Sequence, residues 1–145
     1  MLKPALCPDL NRAILELAPR HHVADFAPDT FAGIMQSPGI IWAGASDGTI
    51  YGDAKVNHAF RAWHDSHHIR LGADFTLAGE TRVCEAQIAE LHRLWPRHPL
   101  VWDRLIRVEV IGQVTYNATH GHFPIDQSQF TREELGLCTL AMSLS

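Results

Sequence analysis

Apolar residues recur along most of this chain at the three-and-four spacing of helices buried on one face. Leu10, Ile14 and Leu17 carry the spacing first, in a segment that Pro8-Asp9 opens and Pro19 closes. A second short helix is expected from Asp29-Thr30, through Phe31, Ile34 and Met35, to Pro38-Gly39. The stretch from Ile40 to Tyr51 is different. Two β-prone triplets flank Gly44-Ala-Ser-Asp-Gly48, which reads as a short hairpin or an ordered loop. From Asp53 onward the pattern is helical again. Asp53 can cap a helix reaching about Arg70, with Gly72 as its stop. Thr76 can cap the next, which Pro96 ends. Pro99 suits the first turn of a third long helix running to about His120. Thr131-Arg-Glu-Glu134 has capping-box spacing for a terminal helix with Leu135, Cys138 and Met142. The expectation is an all-α fold: a single domain over residues 1–145, an irregular bundle of five or six helices with at most one short hairpin at 40–51.

Composition narrows the function classes. The chain has 145 residues, a net charge of -4 and no run of basic residues, which argues against nucleic-acid binding. No apolar run approaches the ~20 residues that span a bilayer, and the first nine residues have no apolar core of signal length. Cys7, Cys84 and Cys138 are far apart and fit neither a disulfide framework nor a thiolate zinc site. A reducing cytoplasm is the expected location, and a homo-oligomer remains open.

The chain carries ten histidines. In Phe60-Arg-Ala-Trp-His-Asp-Ser-His-His68, His64 and His68 leave the same helix face one turn apart, the separation two imidazoles need to reach one metal ion. With Asp65 between them the motif is His-Asp-x-x-His, a shorter-armed relative of the His-Glu-x-x-His spacing of zinc hydrolases. Asn57, Arg61, His64 and His68 form one continuous polar stripe. On the next helix the apolar stripe is Leu77, Cys84, Ile88, Leu91 and Trp95, and Glu80 takes the place of an apolar residue in it. A carboxylate there needs a partner, unless the first helical turn leaves it wet. The third long helix sets Trp102, Ile106, Glu109, Gln113, Tyr116 and His120 on one stripe, so Glu109, Gln113 and Tyr116 are expected to point inward towards Arg61, His64 and His68.

Three helices that each turn a polar stripe inward are how bundles build cofactor sites. The expected site is one divalent metal, zinc or iron, held by His64, His68 and Glu80, with Glu109 as a fourth ligand or a water-orienting group. If the protein is an enzyme, Asp65 would be general base or stand behind the ligands, and Arg61 would orient carboxylates or hold a substrate anion. Metal-activated water acting on a small-molecule or peptide substrate is the simplest chemistry for such a centre. The competing reading is a non-enzymatic accessory or interaction protein whose His, Glu and Arg network only pins helix register. Whether His67, Gln113, Tyr116 and His120 join the site is left open by the spacing.

The segment Asn57-His-Ala-Phe-Arg-Ala-Trp-His-Asp-Ser-His-His68, followed by Asp74-Phe75 and Gly79-Glu80, resembles a loose group of phage- and prophage-encoded proteins. Their shared pattern is Phe-Arg-x-(Phe/Trp)-His-Asp, a second histidine, a Phe and a Gly-Glu pair. Members commonly carry glycine ahead of the second histidine, where this chain has His67. The resemblance covers about 30 residues. It implies His64, Asp65, His68 and Glu80 as the shared site positions, and a mobile-element context.

Overall fold

Local capping decides where the helices begin and end. The computed structural model describes residues 5–44 and 50–136. Helix α1 spans Pro8–Leu17 and α2 spans Phe31–Gln36, the latter capped by the Thr30 side chain. Helix α3, Ala54–Leu71, starts where the Asp53 carboxylate accepts the Lys55 amide at 2.8 Å. It stops at Gly72, whose φ of +63° is a left-handed cap that glycine adopts without strain. Helix α4, Leu77–Leu94, starts at Thr76, whose hydroxyl accepts the Gly79 amide at 3.1 Å. Helix α5, Leu100–Arg107, runs through a π turn, Val108–Gly112, directly into α6, Gln113–His120. Helix α7 spans Gln127–Leu135. Among the described residues 65% are helical, in six helices when α5, the π turn and α6 count as one.

One hydrophobic cluster ties α1, α3, α4 and α5 together. Leu10 and Ile14 of α1, Val56, Phe60 and Trp63 of α3, Cys84, Ile88 and Leu91 of α4, and Trp102, Leu105 and Ile106 of α5 are all buried in it. The expected bundle is therefore present, and among the described residues no helix is long and apolar enough to cross a membrane.

Four details differ from the sequence expectation. Ile40–Trp42 is a strand, β2, but its partner is His22–Ala24, β1, in a parallel ladder pairing Val23 with Ile41. Parallel strands need a crossover, and α2 supplies it. Ile50 and Tyr51, expected as the returning strand of a hairpin, form a buried turn, and residues 45–49 lie outside the description. The last described helix begins at Asp126, whose side chain accepts the Gln129 amide, rather than at Thr131. Cys138 and Met142 lie outside the described residues. Leu77 is 55% exposed: as the first residue of α4 it precedes the buried face, which runs through Gly79, Glu80, Val83, Cys84 and Gln87.

Candidate metal centre

Helices α3 and α4 run antiparallel, as their cross-pairs show. His68 meets Glu80, His64 meets Gln87, and His67 meets Glu90. The turn between the helices is tight because Gly72 reverses the chain and Gly79 lets the Asp74 carbonyl lie where any Cβ would stand. That turn places the first coil of α4 beside the last two of α3.

The result is a triangle of ligand atoms. His64 Nε2 lies 3.0 Å from Glu80 Oε2, His68 Nε2 lies 3.2 Å from the same oxygen, and the two Nε2 atoms are 3.1 Å apart. Each imidazole is held from behind. The Ala73 carbonyl, which can only accept, takes the His68 Nδ1 proton at 2.7 Å, and Gln87 Oε1 takes that of His64 at 2.9 Å. Both neutral rings therefore turn Nε2 lone pairs towards the carboxylate. Three acceptors at this separation repel one another unless a cation sits among them. A tetrahedral ion with bonds of about 2.0–2.1 Å spaces its ligands about 3.3 Å apart, and an octahedral one spaces neighbouring ligands about 2.9–3.0 Å apart. The observed edges fall between these, so the group can hold one divalent ion.

Electrostatics shows the same frustration from the side of the proton. Burial pushes the His68 imidazole down, but the hydrogen bonds and charge of Glu80, with the Ala73 carbonyl and Asp65, outweigh it and leave the ring raised. Burial pushes the Glu80 carboxyl up, yet His64 and His68 together hold it at about 2. Glu80 is thus anionic and buried, with side-chain exposure of only 10%. The alternative of a wet Glu80 in the first turn does not hold.

The triangle lies at the wall of a cavity of about 880 Å³. Arg61, His64, Asp65, Glu80, Glu109 and Gln113 are among its polar lining residues, with Asp25 and Asp29 on another part of the wall, and Phe26, Trp42, Phe60, Phe75, Phe123 and Ile125 are among its apolar ones. Asp65 makes no hydrogen bond among the described residues, and burial raises its carboxyl above the ordinary range. Arg61 is exposed and makes no ion pair or hydrogen bond there either. The closed Arg61–Glu109 network of the structural reading is thus not formed.

Glu109 is buried on the π turn, where it accepts from Gln113 Nε2 at 2.5 Å. Burial raises its carboxyl to about 7, against the nearby Arg61 charge and the Gln113 bond. The Tyr51 hydroxyl faces the same carboxylate without a hydrogen bond of full geometry. Glu109 lines the same cavity but brings no ligand atom into the group of His64, His68 and Glu80, whose ligand atoms lie within 4.8 Å of one another.

The π turn also explains the misplaced tyrosine. Adding about one residue to a turn delays the phase of everything after it, so Gln113 still faces inward while Tyr116 is half-buried. Tyr116 stacks on His120 at 3.9 Å and packs edge-on against Phe130. Neither Tyr116 nor His120 reaches the triangle. His67 belongs to another network, in which Glu90 accepts from Trp63 Nε1 at 2.6 Å and pairs with His67 at 3.1 Å. Gln87 was missed, although its position seven residues after Glu80, with Cys84 between, marks it as the same helix face.

No family model, curated protein or solved structure matches this chain. The case for a function rests on the site itself.

Proposed function

We propose that His64, His68 and Glu80 bind one zinc or iron(II) ion and that the protein is a metal-dependent hydrolase. The observation that carries this is the convergence of three lone-pair donors, with both imidazoles anchored at their far nitrogens, on the edge of a cavity large enough for a small-molecule or peptide substrate. Two histidines and one carboxylate leave coordination positions free, as hydrolytic zinc sites do. A bound ion would supply a water whose pKa is lowered towards neutrality.

The chain's own groups divide the remaining work. Asp65 lines the cavity beside His64, makes no hydrogen bond among the described residues, and accepts the proton that the attacking water loses. As a bond forms from the water oxygen to the acyl or phosphoryl centre and the bond to the leaving group breaks, Asp65 passes that proton to the leaving group. Arg61 steadies an anionic part of the substrate, and the aromatic walls exclude water from the bound state. The resemblance of the α3 segment to phage and prophage proteins supports a mobile-element context for this activity.

Protein purified without a histidine tag should contain close to one tightly held zinc or iron per chain that depends on Glu80. Chelation should abolish hydrolysis of a panel of peptide, amide and phosphoester substrates, and the returned metal should restore it. Metal bound without turnover on any of them would favour the accessory-protein reading. No metal dependent on Glu80 would refute the centre altogether.

A further inference from the structure

A second group of the same composition lies away from the cavity, where α4 hands over to α5. His92 stands in the last turn of α4, His98 in the connection between Pro96 and Pro99, and Asp103 in the first turn of α5. His92 Nε2 lies 2.8 Å from Asp103 Oδ2, and His98 Nε2 lies 2.8 Å from Asp103 Oδ1. The ligand atoms of all three residues fall within 4.8 Å of one another.

His98 repeats the arrangement of His68. Its side chain is fully buried, and its Nδ1 lies 2.7 Å from the Trp95 carbonyl, which can only accept. With its Nδ1 proton taken by that carbonyl, His98 turns Nε2 to an Asp103 oxygen, and the two atoms stand together where a cation could bridge them. The ring is held in that attitude from two sides. Trp102 stacks on it at 5.2 Å, and His92 meets it edge-on at 4.5 Å. A metal ion answers both oxygens and both imidazoles together.

We propose that His92, His98 and Asp103 form a second divalent-metal site, a zinc site with a structural role. The Asp103 carboxylate and the two Nε2 atoms bind the ion, and water completes the shell on the side where His92 is 50% exposed. No part of this group lines the large cavity, and the role assigned to its ion is therefore structural. It fastens the end of α4 to the start of α5 across a connection that holds two prolines. This helps to fix the helix that carries Glu109.

The test is zinc stoichiometry and thermal melting of the full chain without a tag. The parent should retain two equivalents of zinc after exhaustive dialysis. His92→Ala, at a half-exposed position that leaves the core filled, should retain one and lose at least 10- to 100-fold in affinity for the other, the cost already seen when groups that only orient a ligand are removed. Glu80→Gln should keep the His92-dependent equivalent, and added zinc should still raise its melting temperature. Equal zinc content in parent and His92→Ala would overturn this site, whatever happens at Glu80. A single equivalent lost in Glu80→Gln and untouched by His92→Ala would overturn it while leaving the cavity centre in place. Loss of the His92-dependent equivalent alone would support this site and refute the other.

Discussion

Glu80→Gln is the sharpest probe of the cavity centre because it changes one charge and almost no shape. Glu80 supplies the sole anionic ligand of the triangle, and its Oε2 stands 3.0 and 3.2 Å from the two imidazole nitrogens. The glutamine keeps an oxygen there but removes the charge. His64 and His68 stay oriented, since Gln87 and the Ala73 carbonyl still hold their Nδ1 protons. Mutating the groups that merely orient metal ligands already costs about 10- to 100-fold in affinity, or about 1.4–2.8 kcal/mol, so neutralising a ligand should cost at least that. The measurement is competitive titration of zinc against a chromophoric chelator, in a chain that also carries His92→Ala so that one cluster alone binds. The pH dependence gives a second readout. His68 has a raised pKa in the metal-free protein, so a proton occupies the metal's place below it. Zinc affinity should fall as pH drops through that value, and the fall should shift to lower pH in Glu80→Gln, because the carboxylate that raises His68 is gone. Equal zinc affinity in the two proteins at neutral pH would refute the ligand assignment.

Asp65→Asn should lower kcat by about 10²- to 10⁴-fold while zinc content stays at the parent level, since Asp65 is assigned to proton transfer and not to binding. Unchanged turnover would remove it from the chemistry. Glu109 has a folded pKa of about 7 against an ordinary value of 4.5, so its contribution to stability is fully present below about 4.5 and is lost as pH rises through 7. That span corresponds to about 3 kcal/mol, and Glu109→Gln should therefore melt higher than the parent at pH 8 to 9, with the gap closing by pH 5. A gap independent of pH would contradict a buried, ionising Glu109. Burial pushes the Cys84 thiol up to about 11, so peptide mapping after treatment with a thiol reagent at neutral pH should find Cys84 unmodified until the protein is denatured. Modification of the native protein at Cys84 would show that the core opens.

Much of the architecture was legible because its causes are local. Asp53, Gly72 and Thr76 announce the ends of α3 and α4 through capping bonds that span two to four residues, and the structure makes those bonds. His64 and His68 were legible as a pair because helix geometry alone puts positions four apart on one face. Glu80 stood out as a charge on an apolar stripe, and Gly72 marked a turn short enough to bring it to the pair. These inferences needed no knowledge of distant contacts.

The rest depended on packing between segments far apart in the chain. The partner of Ile40–Trp42 lies across α2, and a strand of three residues carries no mark of which neighbour it will choose. The π turn at Val108–Gly112 adds a residue to a continuous helical pattern, and only the contacts on both sides of it reveal that Glu109 and Gln113 stay inside while Tyr116 swings out. The groups that orient the imidazoles were equally hidden, one being a backbone carbonyl and the other a glutamine. His92, His98 and Asp103 share no helical spacing, because two prolines lie among them and their meeting is fixed by how α4 and α5 pack. Sequence by itself determined the helices and the ligand types. Tertiary structure decided which side chains meet, because a metal site is a matter of angstroms between elements whose relative placement no local pattern encodes.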